Sequence, residues 1–157
     1  MLMALRGPSS RGAKPLPRVR TPRHDLYVVA VDGSPQSARA VDVAGELANR
    51  TGAEVRVVSI EAGEGHAVRH GAPGEFRETR ALLRSLETAL RRFGVAASSE
   101  VVVAPSAAVG IVTYAEEVGA NLVVLSSVGR SGVPRMLIGS VAMRVTELAH
   151  CPVLIVR

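Results

Sequence analysis

Aromatic residues are scarce in this 157-residue sequence, which has no tryptophan, two tyrosines and two phenylalanines. Because 47% of the residues are hydrophobic, the chain can still bury a sizeable core in one domain, built from Val, Leu, Ile and Ala. Long apolar runs are also missing, since none approaches the ~20 residues that a membrane-spanning helix needs. We therefore predict a single globular domain with no membrane partner.

Cysteine and lysine occur once each, and each scarcity excludes a class of function. The single cysteine, Cys151, cannot form an internal disulfide, which fits a reducing cytoplasm. It lies between His150 and Pro152 at the start of an apolar strand, so we expect a small buried residue and not a nucleophile. The only lysine, Lys14, lies near the N-terminus. A Walker loop, which needs a lysine after its glycines, is therefore excluded.

Acidic residues are absent from the first 24 residues, which carry six of the nineteen basic residues and are rich in Pro, Gly and Ser. This segment has no helical or strand periodicity, so we predict a disordered basic tail over residues 1–24 and a folded domain over residues 25–157. We favour an inert tail over a targeting peptide, a basic anchor or an over-extended translation start. The domain holds thirteen basic and fourteen acidic residues, and this near-neutral charge predicts no nucleic-acid partner.

A glycine-bearing stretch connects a predicted strand to a predicted helix. The apolar run 122–125 indicates a buried strand, and Val141, Val145 and Leu148 recur at helical spacing. The residues between and just after these segments include Gly129, Gly132, Gly139 and Ser140. Such glycines allow close backbone approach to an anion, which a helix N-terminus and a capping serine also favour. An ordinary flexible loop would show the same spacing, so the pattern alone is a weak signal.

A second candidate element follows the first apolar run, residues 26–31, which predicts a strand buried on both faces. In the turn that follows, Ser34 is a good N-cap and Pro35 a good first helical residue. Asp32 stands at the carboxyl end of the predicted strand. It is either a ligand-facing carboxylate in the crevice of an open α/β sheet or an ordinary turn former.

Strands alternate with helices along the whole domain. Predicted strands are 26–31, 54–60, 95–103, 122–125 and 152–156, with helices at 35–50 and 75–93, another capped by Ser106, and a last one after the glycine loop. In the second helix the expected apolar side consists of Phe76, Leu83, Leu86, Leu90 and Phe93. This alternation predicts an α/β fold with an open five-stranded parallel sheet and helices on both faces. Residues 61–74 are predicted to be a loop in which His66 and His70 are solvent-exposed and do not form a metal pair.

The residues that an enzyme would need are missing. A serine hydrolase elbow requires glycine two places after its serine, but Val133 stands two places after Ser131. No histidine is expected beside the predicted crevice to activate a serine, and Asp32 is the only candidate general base. We therefore expect no catalytic residue and little or no turnover.

The loop spacing matches a known motif when it is read together with other segments. Ser126 lies three positions before Gly129, and nine residues separate Gly129 from the pair Gly139 and Ser140. With segments 28–34, 114–120 and 150–156, this pattern resembles the universal stress protein family over about residues 26–157. The family loop reads glycine, two residues, glycine, nine residues, glycine, then serine or threonine. This chain departs from it at Ser126, which replaces the first glycine.

The resemblance implies the strand order 3-2-1-4-5 and an ATP-binding stress-response regulatory protein in the cytoplasm, with Mg²⁺ or Mn²⁺ bound through the phosphates. By resemblance, Gly129, Gly132, Gly139 and Ser140 would hold the phosphates and ribose. Asp32 and the backbone near Ile60 would meet the adenine, and Arg130 would add charge to the phosphates or be solvated. The complete implied nucleotide site is Ala30, Val31, Asp32, Ser34, Ile60, Leu125, Ser126, Gly129, Arg130, Gly132, Gly139, Ser140 and Val141.

The resemblance also implies a homodimer through the last strand, whose apolar residues are Val153, Leu154, Ile155 and Val156. A bare sheet edge of this kind invites pairing. The alternative function is a dimeric interaction module of the same fold that binds no nucleotide and acts through an unknown regulatory protein partner. Ser126, which replaces the first loop glycine, favours this alternative, whereas the retained Gly129, Gly139 and Ser140 argue against it. If φ at Ser126 is positive, the strain would be on the order of 1–3 kcal/mol. We expect weakened, not abolished, nucleotide binding.

Overall fold

The computed structural model describes residues 25–129 and 138–157. The predicted tail, residues 1–24, lies outside them. In chain order the elements are β1 (Leu26–Ala30), α1 (Pro35–Thr51), β2 (Glu54–Ala62), β3 (Arg69–His70), α2 (Arg77–Arg92), β4 (Ala97–Ala104), α3 (Ala107–Glu117), β5 (Leu122–Ser126), α4 (Ser140–Leu148) and β6 (Val153–Val156). No helix in these two ranges is long and apolar enough to cross a membrane.

The sheet has the order β3-β4-β2-β1-β5-β6. All neighbouring strands are parallel except β3, which runs antiparallel to β4. The predicted α/β fold is therefore confirmed, and five of the strands follow the implied order. The register places Val29 beside Val57 of β2 and Val124 of β5. As a result, the carboxyl ends of β1 and β5 lie side by side at the point where the strand order reverses.

The prediction of five strands and a continuous loop over 61–74 is wrong. β2 extends to Ala62, and Arg69 and His70 form a sixth, two-residue strand paired with Val103 and Val102. The segment is rich in glycine, which favours a loop and does not indicate a strand. The strand depends on contacts with distant parts of the chain, since the His70 side chain contacts both Glu100 and Glu117.

Two hydrophobic layers cover the sheet, which explains why its central strands are nearly continuous apolar runs. On one face α1 and α2 pack Ala40, Ala44, Leu83 and Leu90 against the strands. On the other face α3 and α4 contribute residues such as Ile111, Tyr114 and Val145. Short side chains on both helices and strands compensate for the scarcity of aromatic residues by allowing close packing.

Helix boundaries follow the predicted caps in α1 and α3. Ser34 accepts a hydrogen bond from Ser37 N, Pro35 is the first helical residue and Gly52 ends α1 with φ 74°. Ser106 caps α3 in the same way by accepting from Val109 N. In both helices the local sequence is sufficient to set the N-terminus.

The other two helices depart from the prediction. α2 begins at Arg77 and not at 75, because Phe76 has the left-handed values φ 53° and ψ 50°. Phe93, predicted on the apolar side, is 77% exposed because it is the C-cap residue where the chain leaves the helix. In α4, Val145 is buried as predicted, but Val141 and Leu148 are 39% and 41% exposed. The buried residues of α4 are Ala142 and Val145.

Candidate functional site

A cavity of about 310 Å³ opens between the carboxyl ends of β1 and β5 and the first turns of α3 and α4. This is the switch point at which open α/β sheets bind ligands. Its volume is at the lower end of the range typical of small-molecule sites. It is lined by Ala30, Val31, Asp32, Ser37, Ile60, Ala107, Ile111, Leu125, Ser126, Ser127, Gly129, Gly139, Ser140, Val141 and Ala142.

Most of the predicted site residues converge on this cavity. Those that line it are Ala30, Val31, Asp32, Ile60, Leu125, Ser126, Gly129, Gly139, Ser140 and Val141. Ser34 is not among the lining residues; it is 8% exposed and caps α1. Arg130 and Gly132 lie outside the described residues.

Sequence reasoning missed five lining residues: Ser37, Ser127, Ala142, and Ala107 and Ile111 in the first turns of α3. Ala107 and Ile111 are four residues apart and therefore share a helix face. That spacing was visible in the sequence, but nothing in it indicated that α3 would close the cavity. The knowledge needed was the packing of α3 against β2, where Ile60 meets Gly110: a Cβ on Gly110 would lie 2.7 Å from Ile60 Cγ2.

The β1–α1 turn forms one wall of the cavity and satisfies its own polar groups. The Asp32 carboxylate accepts a hydrogen bond from Ser34 N at 3.0 Å. Ser37 donates its hydroxyl to the Ser34 carbonyl at 2.8 Å, while Ser37 N donates to the Ser34 hydroxyl at 3.2 Å. Gly33 has φ 81°, a value that favours glycine. The turn-forming role of Asp32 is therefore confirmed, and Asp32 also lines the cavity.

The opposite wall, which we call the neck, consists of residues 126–129 and 138–140. Gly139 N donates to the Ser127 carbonyl at 2.7 Å, and Ser127 N donates to the Val156 carbonyl at 2.8 Å. These two bonds join the start of the segment after β5 to the start of α4. The neck is thus fixed at the edge of the sheet next to the cavity.

The neck glycines are required for space and not for their backbone angles, since neither has a positive φ. A Cβ on Gly129 would lie 2.7 Å from the Asp32 Oδ2 atom, and a Cβ on Gly139 would lie 3.1 Å from the Ser127 carbonyl oxygen. Both distances are shorter than ordinary van der Waals contact. A side chain at position 129 would therefore push the neck away from Asp32 on the other wall, and a side chain at position 139 would crowd the Ser127 carbonyl within the neck itself.

Ser126 does not show the strain that a positive φ would cause. It is the last residue of β5, paired with Val156, and Phe76 is the only described non-glycine residue with a positive φ. Its hydroxyl donates to the Val128 carbonyl at 2.9 Å. The expected cost of replacing the first loop glycine by serine is therefore absent from the backbone of this chain.

The first turn of α4 faces the cavity without a side-chain cap. Gly139 is the N-cap residue, so the predicted cap Ser140 is instead the first helical residue. The first N–H groups of a helix have no intrahelical partner, and the helix dipole makes this end attractive to an anion. By contrast, α1 uses Ser34 to satisfy one of these N–H groups. An anion bound in the cavity is accordingly expected at the α4 end.

Groups for metal or nucleophilic chemistry do not come together in the described ranges. No cluster of three or more His, Cys, Asp or Glu side chains there has the arrangement of a metal site. Cys151 is half-buried where a buried residue was predicted, and its partial burial raises the pKa of the thiol, which favours the protonated form at neutral pH. The described lining of the cavity contains one carboxylate, Asp32, and no histidine. The geometry supports binding of an anion with an apolar portion.

Comparison with known proteins agrees with this geometry. The model of the Universal stress protein family matches residues 27–157. Universal stress protein YxiE of Bacillus subtilis is 33% identical over 146 residues, which cover 83% of this chain and 97% of that protein. Among solved structures, a universal stress protein in complex with cAMP shares 29% identity with a TM-score of 0.67, covering 85% of this chain and 97% of that one.

A further similar structure is that of the universal stress protein from Archaeoglobus fulgidus in complex with dAMP. It shares 26% identity and a TM-score of 0.65, and the match covers 85% of this chain and 98% of that one. The family match extends over the whole described domain, from β1 through β6. This chain belongs to the universal stress protein family.

Proposed function

We propose that this protein binds an adenine nucleotide, ATP with Mg²⁺ or Mn²⁺, in the cavity between β1 and β5, and acts in the cytoplasm as a stress-response regulatory protein. The observation that carries the proposal is the N-terminus of α4, which has no side-chain cap and faces the cavity. It lies beside Gly129 and Gly139, and the rest of the cavity lining is largely apolar. An anionic group and an apolar ring on one ligand match these two ends.

The apolar floor suits the base. Ala30, Ile60, Ala107 and Ile111 line one end of the cavity and offer no side-chain polar group. A base bound there would be recognised through backbone groups near Ile60 and through Asp32, which stands at the rim beside Val31. This assignment gives the ligand an orientation, with the base toward α3 and the phosphates toward α4.

The phosphates would meet Gly129, Gly139 and Ser140 at the neck, with Val141 on the next helical position. The missing Cβ atoms let Asp32 and the Ser127 carbonyl pack closely against the backbone of the neck, and a backbone without side chains can also approach a phosphate closely. Arg130 and Gly132 belong to the same proposed site. The donor set suits a divalent ion held mainly by the ligand, because Asp32 is the single carboxylate among the described lining residues and Mg²⁺ is commonly held by one or two carboxylates plus phosphate oxygens.

Related proteins support nucleotide binding, since two of their solved structures are complexes with cAMP and with dAMP. ATP goes beyond those ligands and is our proposal for this chain. Hydrolysis is expected to be slow or absent, because the described lining of the cavity has no histidine to activate water and Asp32 already accepts a hydrogen bond from Ser34 N.

Titration calorimetry with ATP and Mg²⁺ tests the proposal. We expect binding to the unmodified protein and its loss in Gly139→Val, in which a branched side chain meets the Ser127 carbonyl. The matched control is Gly119→Asn at the end of α3. A Cβ at this position would meet no described atom within 4 Å apart from its chain neighbours, and asparagine tolerates the φ of 68°. Circular dichroism should show that all three proteins are folded. Equal affinities of the parent and Gly139→Val would refute the site.

Repeating the titration with a chelator in place of Mg²⁺ tests the divalent ion, and affinity should fall. If the folded parent binds no nucleotide under either condition, the result supports the alternative function, an interaction module that works through a regulatory protein partner. The experiment thus separates the two functions on one preparation.

We also propose a homodimer formed through β6. This strand pairs with β5 on one side, and no strand of residues 25–129 or 138–157 pairs with its other side. Its first three residues, Val153, Leu154 and Ile155, are only partly buried. Pairing with a second copy would bury this apolar edge.

A further inference from the structure

Three exposed arginines of α2 lie on one side of the helix. They are Arg77, Arg84 and Arg92, and none of them forms an ion pair within residues 25–129 and 138–157. Because they are seven and eight residues apart, they lie within about 80° of one another around the helix and roughly 23 Å from end to end along its axis. We call these three residues the arginine row.

Ion pairing within α2 does not neutralise the arginine row. Glu87 is three residues after Arg84, but its carboxylate pairs with Arg91 at 2.8 Å and accepts the Ser99 hydroxyl at 2.8 Å. The exposed residues between the arginines on this side of the helix are uncharged: Ala81, Ser85 and Thr88. The row is therefore a continuous positive strip.

The helix dipole accounts for only one of the three cations. Arg92 lies in the last turn of α2, where a cation is favourable. Arg77 is the first helical residue, where a cation is unfavourable, and Arg84 lies beyond the first and last turns, to which the effect is confined. The stability of α2 thus does not explain Arg77 and Arg84, whose exposed positions suit contact with an external anion.

The strip is long and narrow, because acidic residues border it. Around the helix, Glu78 lies on one side of the row and Glu87 on the other. Helix α1, which packs against α2, carries the exposed acids Asp42 and Glu46. A broad anionic lipid surface would meet these carboxylates together with the arginines, whereas a linear chain of phosphates can follow the arginines alone. The shape therefore favours a nucleic-acid backbone over a membrane.

The basic tail begins near one end of the arginine row. Glu54 N donates to the Asp25 carbonyl at 2.8 Å, and Glu54 lines a small cavity together with Arg91, at the C-terminal end of α2. Arg23 is two residues before Asp25, so their Cα atoms are at most about 7 Å apart. Residues 1–24 contain six basic residues and no acid. Further cations are thus supplied at this end of the row, and they outnumber the two acids at the junction.

We propose that the arginine row and the basic tail bind the phosphate backbone of a nucleic acid. Guanidinium groups match phosphates in charge and geometry, and backbone contacts carry no sequence information, so the binding is independent of sequence. The near-neutral total charge of the domain predicts no such partner, but it sums the charges and ignores their positions. This surface lies on the α1–α2 side of the sheet, whereas α3 and α4 close the cavity, so it is separate from the proposed nucleotide site.

Fluorescence anisotropy with labelled duplex DNA of mixed sequence, over a range of NaCl concentrations, tests the proposal on the full chain. Arg77→Gln/Arg84→Gln removes two phosphate contacts. We expect the slope of log K against log salt to become less steep by about 1.8, and affinity at low salt to fall at least about tenfold. The matched control, Arg39→Gln/Arg157→Gln, removes the same charge from exposed positions outside the row and should leave the slope near that of the parent.

Two further measurements test the tail and the kind of nucleic acid. Arg18→Gln/Arg20→Gln/Arg23→Gln should reduce the slope by about 2.7 if each tail arginine contacts one phosphate. Single-stranded RNA of the same length should also bind, with a shallower slope, because fewer counterions are released per contact. Circular dichroism and ATP titration should show that every variant is folded and that its nucleotide site is unchanged.

Three results would overturn the proposal while leaving the nucleotide site intact. Equal losses in Arg77→Gln/Arg84→Gln and in the control would show that only total charge matters. Binding to phosphatidylserine vesicles, but not to phosphatidylcholine vesicles, DNA or RNA, would assign the surface to a membrane. A parent that binds neither DNA nor RNA at low salt would show that the arginine row has no nucleic-acid partner.

Discussion

The two edge strands of the sheet, β3 and β6, differ in length and in the polarity of their side chains. On one edge, which we call the closed edge, the two-residue strand β3 pairs antiparallel with β4, and both of its side chains contact carboxylates. Arg69 pairs with Glu75, and His70 contacts Glu100 and Glu117. On the other edge, β6 presents four apolar residues of which three are partly buried. A short, charged edge resists pairing with another chain, whereas an apolar edge invites it. Assembly is therefore expected at β6 alone.

The hydrogen bonds of the β5–β6 ladder show which groups of β6 are available. The carbonyls of Pro152 and Val156 accept from Val123 N and Ser127 N. Alternate residues of a strand face the same neighbour in a parallel ladder, so Leu154 also faces β5. Val153 and Ile155 consequently direct their N–H groups outward.

The largest expected effect is that of Ile155→Pro on the dimer. Proline removes one outward N–H from each copy while leaving the bonds to β5 in place. We expect sedimentation to show a dimer for the parent and a folded monomer for the variant, with dimer affinity lowered at least about a hundredfold because two hydrogen bonds and their partners are lost.

The control is Ile155→Thr, which keeps the N–H group and should remain dimeric. Leu154→Pro, in contrast, breaks the inner ladder and should damage the fold itself. A parent that sediments as a monomer, or an Ile155→Pro protein that remains a dimer, would show that the difference between the two edges does not direct assembly.

A smaller effect is expected at Arg80, which holds the turn that follows β3. Its guanidinium donates to the carbonyls of Gly71, Ala72 and Glu75 and is half-buried. Arg80→Ala leaves these acceptors without their charged donor, so we expect a loss of about 1.5–3 kcal/mol in the free energy of unfolding in urea.

Arg84→Ala, one turn later and exposed, is the matched control and should change stability by no more than about 0.5 kcal/mol. Equal effects of the two substitutions would mean that the closed edge does not depend on the Arg80 contacts. In that case charge at the surface, and not a hydrogen-bonded turn, would distinguish it from β6.

Local sequence predicted the parts of this fold that short-range chemistry controls. Ser34, Pro35 and Gly52 set the ends of α1, and the alternation of apolar segments predicted the parallel sheet. β3 was missed because a two-residue strand has no periodicity and exists only through pairing with Val102 and Val103. Phe93 was misplaced because the pattern of α2 continues one residue beyond the helix itself.

The candidate cavity was predicted in large part because its two walls follow strands at a recognisable switch point. What the sequence did not reveal was the reason for its glycines. Gly129 and Gly139 were interpreted as allowing close approach of the backbone to an anion or as ordinary loop glycines, whereas in the structure Asp32 and the Ser127 carbonyl lie within contact of where their Cβ atoms would be. The contact between Gly129 and Asp32 joins residues almost 100 positions apart and depends on the assembled sheet.

The smallest expected effect concerns His70, the residue that links the closed edge to two other elements. Its Nδ1 atom lies 3.0 Å from Glu100 of β4 and its Nε2 atom 3.0 Å from Glu117 of α3. Its ring also packs edge-on against Tyr114, with centroids 6.2 Å apart. Two cations lie close to this cluster: Arg69 is next to His70 in β3, and the side chain of Arg56 in β2 donates a hydrogen bond to the Tyr114 hydroxyl.

The hydrogen bond to Glu117, with the charges of Glu100 and Glu117, raises the pKa of His70 despite partial burial. A raised folded-state pKa stabilises the protein below the unfolded value of about 6.5 and loses this contribution as pH rises through the folded value. His70→Gln should therefore reduce the urea midpoint at pH 6 and have little effect at pH 8.5. Because the side chain is 48% exposed, the difference should be well under 1 kcal/mol. If the substitution costs the same at both pH values, the closed edge is held by shape and neutral hydrogen bonds, and its charge matters only in repelling a second copy.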